Sequence, residues 1–507
     1  MRKFFSHALT FATIIGLLIP PAVRGGTETY EVRAGSIPRF TIDQAILTAL
    51  QRNPEIQRAR QEIERAKGLY LEVRADALPR IDASGQSTTT DPHLNRFTGD
   101  GGGPDFGVET AYSLQIRATQ AIFAGGRIIS QIRSADFQRD SSYFAFREVI
   151  DTIIAQVRTQ FYQILLNRAL IGVQEESIRL LESQLQDQQN RFEAGTVPRF
   201  NVLQAQVALS NQQPELISAR NNYRIAQLQL ARTIGLDFDP ARGDGPPLEA
   251  VGELRFEARG LPLATAIEVA KERRPLLFQQ KANVLASNAQ VGIARSGYFP
   301  QINATGGADF RSSPISTDIN DVRSGYVFGA SGSWAIWDWG QTAGRVKQAR
   351  SLLQQAKITL DDAARQVELE VQQAYANMQQ GRELIRSQQQ TVAQAQEALR
   401  LSTARLSAGA GTQLEVLNSR VEVTRAQSIS LQALFSYNAA VAEFDRVTAT
   451  EIVFANALDE PRTRDRVKAD TAPTPAPKPT PLPLTHDGIR EPVSVQQRIY
   501  SAPEFSK

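Results

Sequence analysis

The chain has no cysteine among its 507 residues. That excludes disulfides, iron–sulfur clusters, thiolate zinc sites and a lipid attached at a cysteine. Histidine is scarce: of His7, His93 and His486, only the last two would survive removal of a leader, which leaves little for imidazole acid–base or metal chemistry. Neither sign of charge is in excess. With 56 basic and 53 acidic residues the formal net charge is +3, so composition gives no electrostatic case for nucleic acid as a partner. Mean hydropathy is −0.29, which argues against a polytopic helical membrane protein. The one strongly apolar run lies at the start, where Arg2 and Lys3 precede Ala8 to Ile19 and Pro20 and Pro21 close it. A basic start and a short apolar core match a secretory signal; an uncleaved anchor is the competing reading, for which the core is short. Cleavage between Ala22 and Thr27 would leave the mature chain outside the cytoplasm of a bacterium.

Proline is missing from two long stretches, Gly126 to Gly195 and Gly340 to Gly409, which are equal in length and lie 214 residues apart. In the first, apolar side chains recur at every seventh position: Ile150, Val157, Ile164, Ile171, Ile178, Leu185, Phe192. In the second they are Ala364, Val371, Met378, Ile385, Val392, Leu399 and Leu406. A seven-residue apolar repeat makes one seam along a helix and calls for a partner helix. At 1.5 Å per residue each helix would be roughly 100 Å long, against the roughly 10–14 residues usual in compact domains.

The duplication extends upstream. FTIDQAILTALQRNPEIQ from Phe40 pairs with LPLATAIEVAKERRPLLFQ from Leu261; an offset of 221 sets Pro54 on Pro275 and Pro79 on Pro300. After each second proline the period changes to two, the signature of a strand. Strands are expected at about Arg80–Thr90, Val108–Phe123, Gln301–Arg311 and Gly325–Ile336, each pair feeding one long helix. The resulting division is a signal at 1–26, a first repeat at 27–236, a linker at 237–260, a second repeat at 261–456, and a proline-rich tail at 457–507 that has no apolar period with which to build a core.

No catalytic constellation, metal cluster or cofactor motif is expected. The glycine-rich segment Gly99–Pro104 lacks the lysine and helix of a phosphate loop. The adjacent acids Glu175–Glu176 and Asp361–Asp362 read as solvated helix faces. The strands carry more meaning. Four strands cannot close a barrel, and open edges are not tolerated in lipid, so several chains must cooperate; three would supply twelve strands. Phe123, Trp334, Trp337 and Trp339 fall at the strand-to-helix junctions, as membrane-interface aromatics do, or alternatively pack in a soluble core. A coiled-coil structural protein of the envelope, without a channel, is the competing functional class.

The duplicated strand–strand–long-helix unit, the junctions AIFAGGR and AIWDWGQ, and the two turn sequences RFEAGTVPRFNVLQ and RLSAGAGTQLEVLN resemble the TolC family of outer-membrane efflux and secretion channels. The resemblance spans Thr41 to Ala455. It implies a mainly α protein with a small β membrane part: a homotrimer with a twelve-stranded transmembrane β-barrel in outer-membrane lipid and a long α-helical coiled-coil barrel in the periplasm. It further implies a passive, non-enzymatic conduit that docks on a periplasmic adaptor and an inner-membrane pump of RND or ABC type. Acids just after the second turn narrow the periplasmic mouth in that family. Glu415 and Asn418 match them here, with Asn201 and Gln204 in the first copy, so one of the two acids is an amide. The adaptor-contacting tips would be Arg191, Gly195 and Thr196 and, in the second copy, Arg405, Gly409 and Thr412.

Overall fold

A computed structural model describes residues 38–91, 110–236, 247–312 and 321–450. The expected signal, the glycine-rich segment, His93, His486 and the proline-rich tail lie outside the described residues.

The first repeat opens with β1 (Arg39–Phe40), α1 (Ile42–Arg52) and α2 (Pro54–Ala75). Thr41 and Gln44 form a reciprocal capping box at the start of α1. Pro54 begins α2, and the Asn53 side chain accepts hydrogen bonds from the amides of Glu55 (2.7 Å) and Ile56 (3.1 Å). Strands β2 (Arg80–Thr89) and β3 (Thr110–Phe123) follow, then the long helix α3 (Arg127–Glu193) and its return helix α4 (Arg199–Ile234).

The second repeat runs in the same order. After β4 (Glu249–Ala250) come α5 (Leu263–Arg273), α6 (Pro275–Arg295), β5 (Gln301–Ser312), β6 (Val322–Ser333), the long helix α7 (Gln341–Ser407) and the return helix α8 (Gln413–Thr448). Both long helices have 67 residues and both return helices 36. The inter-repeat stretch is partly packed: β4 pairs in parallel with β1, Leu248 and Ala250 are buried, and the Tyr437 hydroxyl donates to the Glu257 carbonyl (2.7 Å).

Each repeat has its own core. The first gathers Ile46, Ile56, Ile150, Val157, Ile164, Leu230 and Ile234; the second gathers Leu277, Val367, Val371, Met378, Ile385, Tyr437 and Phe444. The seven-residue seam is fully buried only along part of each helix. Beyond Ile164 its residues are half-buried, and Phe192 is exposed, while Gln184 and Gln188 are buried instead. A straight helix drifts by about 20° per heptad against a 3.5-residue repeat, so six heptads carry the seam roughly 120° round the helix.

The four long strands form one antiparallel sheet in the order β2-β3-β5-β6. The return strand of the second repeat is displaced from expectation: it starts at Val322 and stops at Ser333, so Trp334 and Ile336 lie beyond it. Its partner explains this. Ser333 pairs with Gln301, the first residue of β5, and Pro300 before it has no N–H to extend the ladder.

Candidate functional site

Three features sit at defined places on this frame. The first is the sheet. Its register puts Ile81, Ala83 and Gly85 beside Ala118, Ile116 and Leu114. These in turn meet Gly306, Ala308 and Phe310, which pair with Phe328, Tyr326 and Ser324. Paired residues of an antiparallel sheet share a face, so the apolar alternations of four strands merge into one continuous apolar surface. Tyr326 and Phe328 lie almost bare on it, their rings 5.8 Å apart. The opposite face carries Asp82, Ser84, Gln115, Arg117, Thr305 and Asp309, with Asp309 paired to Arg311 (2.8 Å) and Arg117 (3.8 Å). Among the described residues the outer edges of β2 and β6 have no strand beside them.

The second feature is an aromatic collar where strands give way to helices. Phe123 ends β3; Trp334, Trp337 and Trp339 follow β6, and all four are exposed. Trp337 and Trp339 meet edge to face at 5.7 Å, and the Trp334 indole donates to the Tyr298 carbonyl (3.2 Å). Tyr298 and Phe299, also exposed, complete the collar. Sequence reading passed over them, although their position immediately before Pro300, matching Ala77 and Leu78 before Pro79, was a usable signal. Asp338 anchors the collar to α7 by accepting from the amides of Gly340 (3.0 Å) and Thr342 (2.7 Å), and these hydrogen bonds, with that to the Thr342 side chain first, hold its carboxyl below the usual range.

The third feature is the pair of turns at the far ends of α3 and α7. Both are Schellman caps. Gly195 (φ 70°) and Gly409 (φ 73°) take the left-handed conformation. The Thr196 amide donates to the Arg191 carbonyl and the Ala410 amide to the Arg405 carbonyl, both at 2.9 Å. The next helices begin differently. Thr412 caps α8 by accepting from the Glu415 amide (3.3 Å), whereas its counterpart Pro198 offers no side-chain cap to α4. Arg191 pairs with Asp187 (3.0 Å), and Arg405 stands 4.0 Å from the Glu415 carboxylate. Asn418 is exposed, and Asn201 and Gln204 are half-buried at the matching places in α4. The structure thus gathers Arg405, Gly409, Thr412 and Glu415 at one turn, and Arg191, Gly195, Thr196 and Asn201 at the other.

Among the described residues no helix is long and apolar enough to cross a membrane, a statement that does not bear on the sheet, and no group of three or more His, Asp or Glu is placed to hold a metal ion.

Known proteins are similar in sequence and fold. The family model described as "Outer membrane efflux protein" matches residues 45–236 and 266–450. The chain is 24% identical over 370 residues to the solvent efflux pump outer membrane protein SrpC of Pseudomonas putida, covering 70% of this chain and 74% of that protein. It is 21% identical over 384 residues to the cation efflux system protein CusC of Escherichia coli K12, covering 75% and 81%. In structure it is similar to the CmeC outer membrane channel of Campylobacter jejuni, with TM-score 0.73, 15% identity, and 85% and 89% of the two chains covered. It is also similar to the open state of the MtrE outer membrane channel of Neisseria gonorrhoeae, with TM-score 0.66, 18% identity, and 80% and 88% covered. With both halves matched in order and most of the chain covered, this protein belongs to the outer membrane efflux protein family.

Proposed function

We propose that three copies of this chain form a passive duct from periplasm to exterior, the outer-membrane member of a tripartite efflux or type I secretion system. One observation carries the reading. A sheet with one continuous apolar face and two unfilled edges is joined directly to two helices of 67 residues each. In lipid the edges must be satisfied, and three such sheets joined edge to edge give a closed barrel of twelve strands with its apolar face outward. The polar face, with Asp82, Arg117 and Asp309, then lines a water-filled lumen. The collar of tryptophan and tyrosine meets the membrane–water boundary, and the long helices continue the wall into the periplasm.

The turns at Gly195 and Gly409 are the ends furthest from the sheet. They would meet a periplasmic adaptor, which links the duct to an inner-membrane pump of RND or ABC type. Three copies of Glu415 at the mouth would favour cations. The relatives named for solvent and for cation efflux differ in cargo on one architecture, and the polar face selects neither.

The mature protein is expected in the outer-membrane fraction, and its detergent complex should have the mass of three chains and change gel mobility on heating. A soluble single chain recovered without detergent would overturn the reading.

A further inference from the structure

The two halves can be compared residue by residue, and a buried charge cluster of the second has no match in the first. In the second half Arg274, only 2% exposed, donates to Glu148 (2.8 Å), to Glu370 (3.0 Å) and to the Arg446 carbonyl (3.1 Å). Arg446 reaches the same two carboxylates at 3.4 and 3.5 Å and also pairs with Glu443 (2.6 Å). Arg274, Glu370, Glu443 and Arg446 all belong to the second half. Glu148 does not: it comes from α3 of the first half, where that helix packs on α8.

The corresponding residues of the first half are Asn53, Gln156, Gln229 and Arg232. Asn53 donates to the Thr233 carbonyl (2.8 Å), one residue beyond the position that matches Arg446. No guanidinium follows it inward, and a cavity of about 320 Å³ remains, lined by Asn53, Glu55, Arg58, Gln156, Gln160 and Arg232 among others. The buried Gln160 side-chain oxygen has no partner. Among the described residues neither Arg58 nor Arg232 has an ion pair; both are exposed in the single chain, as is Glu55, so the rim of the cavity holds two cations against one carboxylate. What is missing is the counterpart of Glu148, a carboxylate brought in by a long helix from outside the half. That counterpart, 214 positions on, is Asp362 in α7. In the single chain Asp362 is exposed, and among the described residues its ion pair is with Arg365, its neighbour on the same helix, at 3.3 Å.

We propose that the contact of α3 on α8 within the chain is repeated between chains as α7 on α4, and that Asp362 of the partner subunit closes this cavity as the counter-ion of Arg232. The proposal rests on the assembly into a closed ring proposed above. Other contacts of α3 with α8 carry over to compatible pairs. The hydroxyls of Thr424 and Ser177 meet at 3.4 Å, and their counterparts are Ser210 and Thr391 of the partner subunit, again two hydroxyls. Arg420 donates to the Leu180 carbonyl (2.7 Å), and Gln206 can donate to the corresponding carbonyl, that of Gln394 of the partner subunit.

The apolar surface carries over as well. Leu417 is 7% exposed within the chain, while its counterpart Leu203 is 48% exposed and awaits cover. Buried Ala442 and Ala155 correspond to exposed Leu228 and Leu369. Two ion pairs are lost: Arg158–Asp445 (3.2 Å) becomes Gln372 and Ala231, and Arg274–Glu148 (2.8 Å) becomes Asn53 and Asp362. The joint between chains is therefore more apolar than the joint within them, with Arg232 and Asp362 as its ion pair. With Asp362 in place, the cavity's two cations face two carboxylates.

The absence of cysteine makes the test direct. Ser210→Cys with Thr391→Cys should, on oxidation, link chain to chain and give a reducible ladder up to three chains on a denaturing gel. Ser177→Cys with Thr424→Cys should link within the chain and run at one chain. Arg232→Glu alone and Asp362→Arg alone should each lower the temperature at which the native complex dissociates by several degrees, and the two together should restore most of that loss. A complex of three-chain mass in which Ser210→Cys and Thr391→Cys stay unlinked would overturn the inference and leave the assembly standing; a single-chain mass in detergent would overturn the assembly itself. A double charge swap no better than the sum of the single losses would overturn the pairing. So would a wild-type complex stabilised by inorganic phosphate while Asp362→Ala changes nothing, which would give the cavity to a small anion.

Discussion

Trp339 and Gly125 occupy the same place in the two halves, two residues before a long helix, and both hold a left-handed backbone, with φ of 53° and 59°. Their surroundings differ. A Cβ on Gly125 would lie 2.8 Å from the Phe299 Cβ and the Ser296 carbonyl, whereas Trp339 is 89% exposed. Bulky residues rarely adopt this conformation, and it costs roughly 1–2 kcal/mol per residue. Trp339→Gly should therefore raise thermal stability in detergent while weakening retention in lipid, read as the thermal midpoint and as partition between bilayer and detergent. Gly125→Ala should lower stability sharply, because the strain and the close contacts add.

Gly381 lets α7 lie against α8. A Cβ there would come 3.0 Å from the Tyr437 Cα and 3.1 Å from its Cβ. Its counterpart Asn167 is accommodated in the first half by donating to the Asn222 carbonyl at 3.1 Å. Gly381→Val should force the helices apart and cost about 1–3 kcal/mol. Thermal unfolding followed by circular dichroism would show the loss.

Gly307 is more constrained, since an added Cβ would collide with the Ile116 carbonyl oxygen of the adjacent strand. Gly307→Ala should disturb pairing of β5 with β3 while leaving the helices folded. The expected result is near-normal helical signal with loss of the heat-modifiable gel form. Gly329, with open space around it, serves as the tolerant control on β6.

Asp445 links acidity to stability. Burial raises its carboxyl pKa, opposed by Arg259 and Arg158, whose guanidinium groups lie at 3.1 and 3.2 Å. With the folded value above the unfolded one, the folded chain binds the proton more tightly. This group's contribution to stability is thus complete below the unfolded pKa and is lost as pH rises through the folded one. Asp445→Asn should remove that segment of the dependence, measured as thermal midpoint across a pH series.

Glu415 and Arg405 oppose one another at the turn, 4.0 Å apart. Both are solvent-exposed, so the pair adds little stability, and its expected effect is on ions at the mouth. In planar-bilayer recordings Glu415→Gln should reduce cation preference and block by multivalent cations. Arg405→Gln and Asn418→Asp should increase them, and Thr119→Gln on the return strand should change neither. Identical selectivity in Glu415→Gln and Thr119→Gln would place the constriction elsewhere.

The long helices, the strands and the tip glycines were legible because each rests on a local regularity. A run without proline, an alternation of period two and a glycine after the last apolar residue need no knowledge of partners. Arg80–Thr90 and Gln301–Arg311 were each placed to within a residue for that reason. The end of β6 was not, because alternation continues through Trp334 and Ile336 and only the ladder to Gln301 decides where it stops. The cluster around Arg274 was invisible for a related reason. Its carboxylates lie at 148, 370 and 443 in the chain, and no spacing connects them. Burial of Gln184 and Gln188 was likewise hidden by a seam whose slow rotation depends on the true helical pitch.

Among the described elements only α3 and α7 run unbroken from the sheet to the tip turns; α2 and α6 accompany them along one part and α4 and α8 along the other. Mechanically these two rods are the through-members of the chain. Torque applied at a tip has its most direct path to the collar along their backbones, and the capped turns, the buried arginine cluster and the Asp338 anchor would act as clamps on whether it arrives as rotation or as bending. An inserted pair of glycines midway along α7 would act as a flexible coupling, separating events at the turn from events at the membrane while leaving both ends folded.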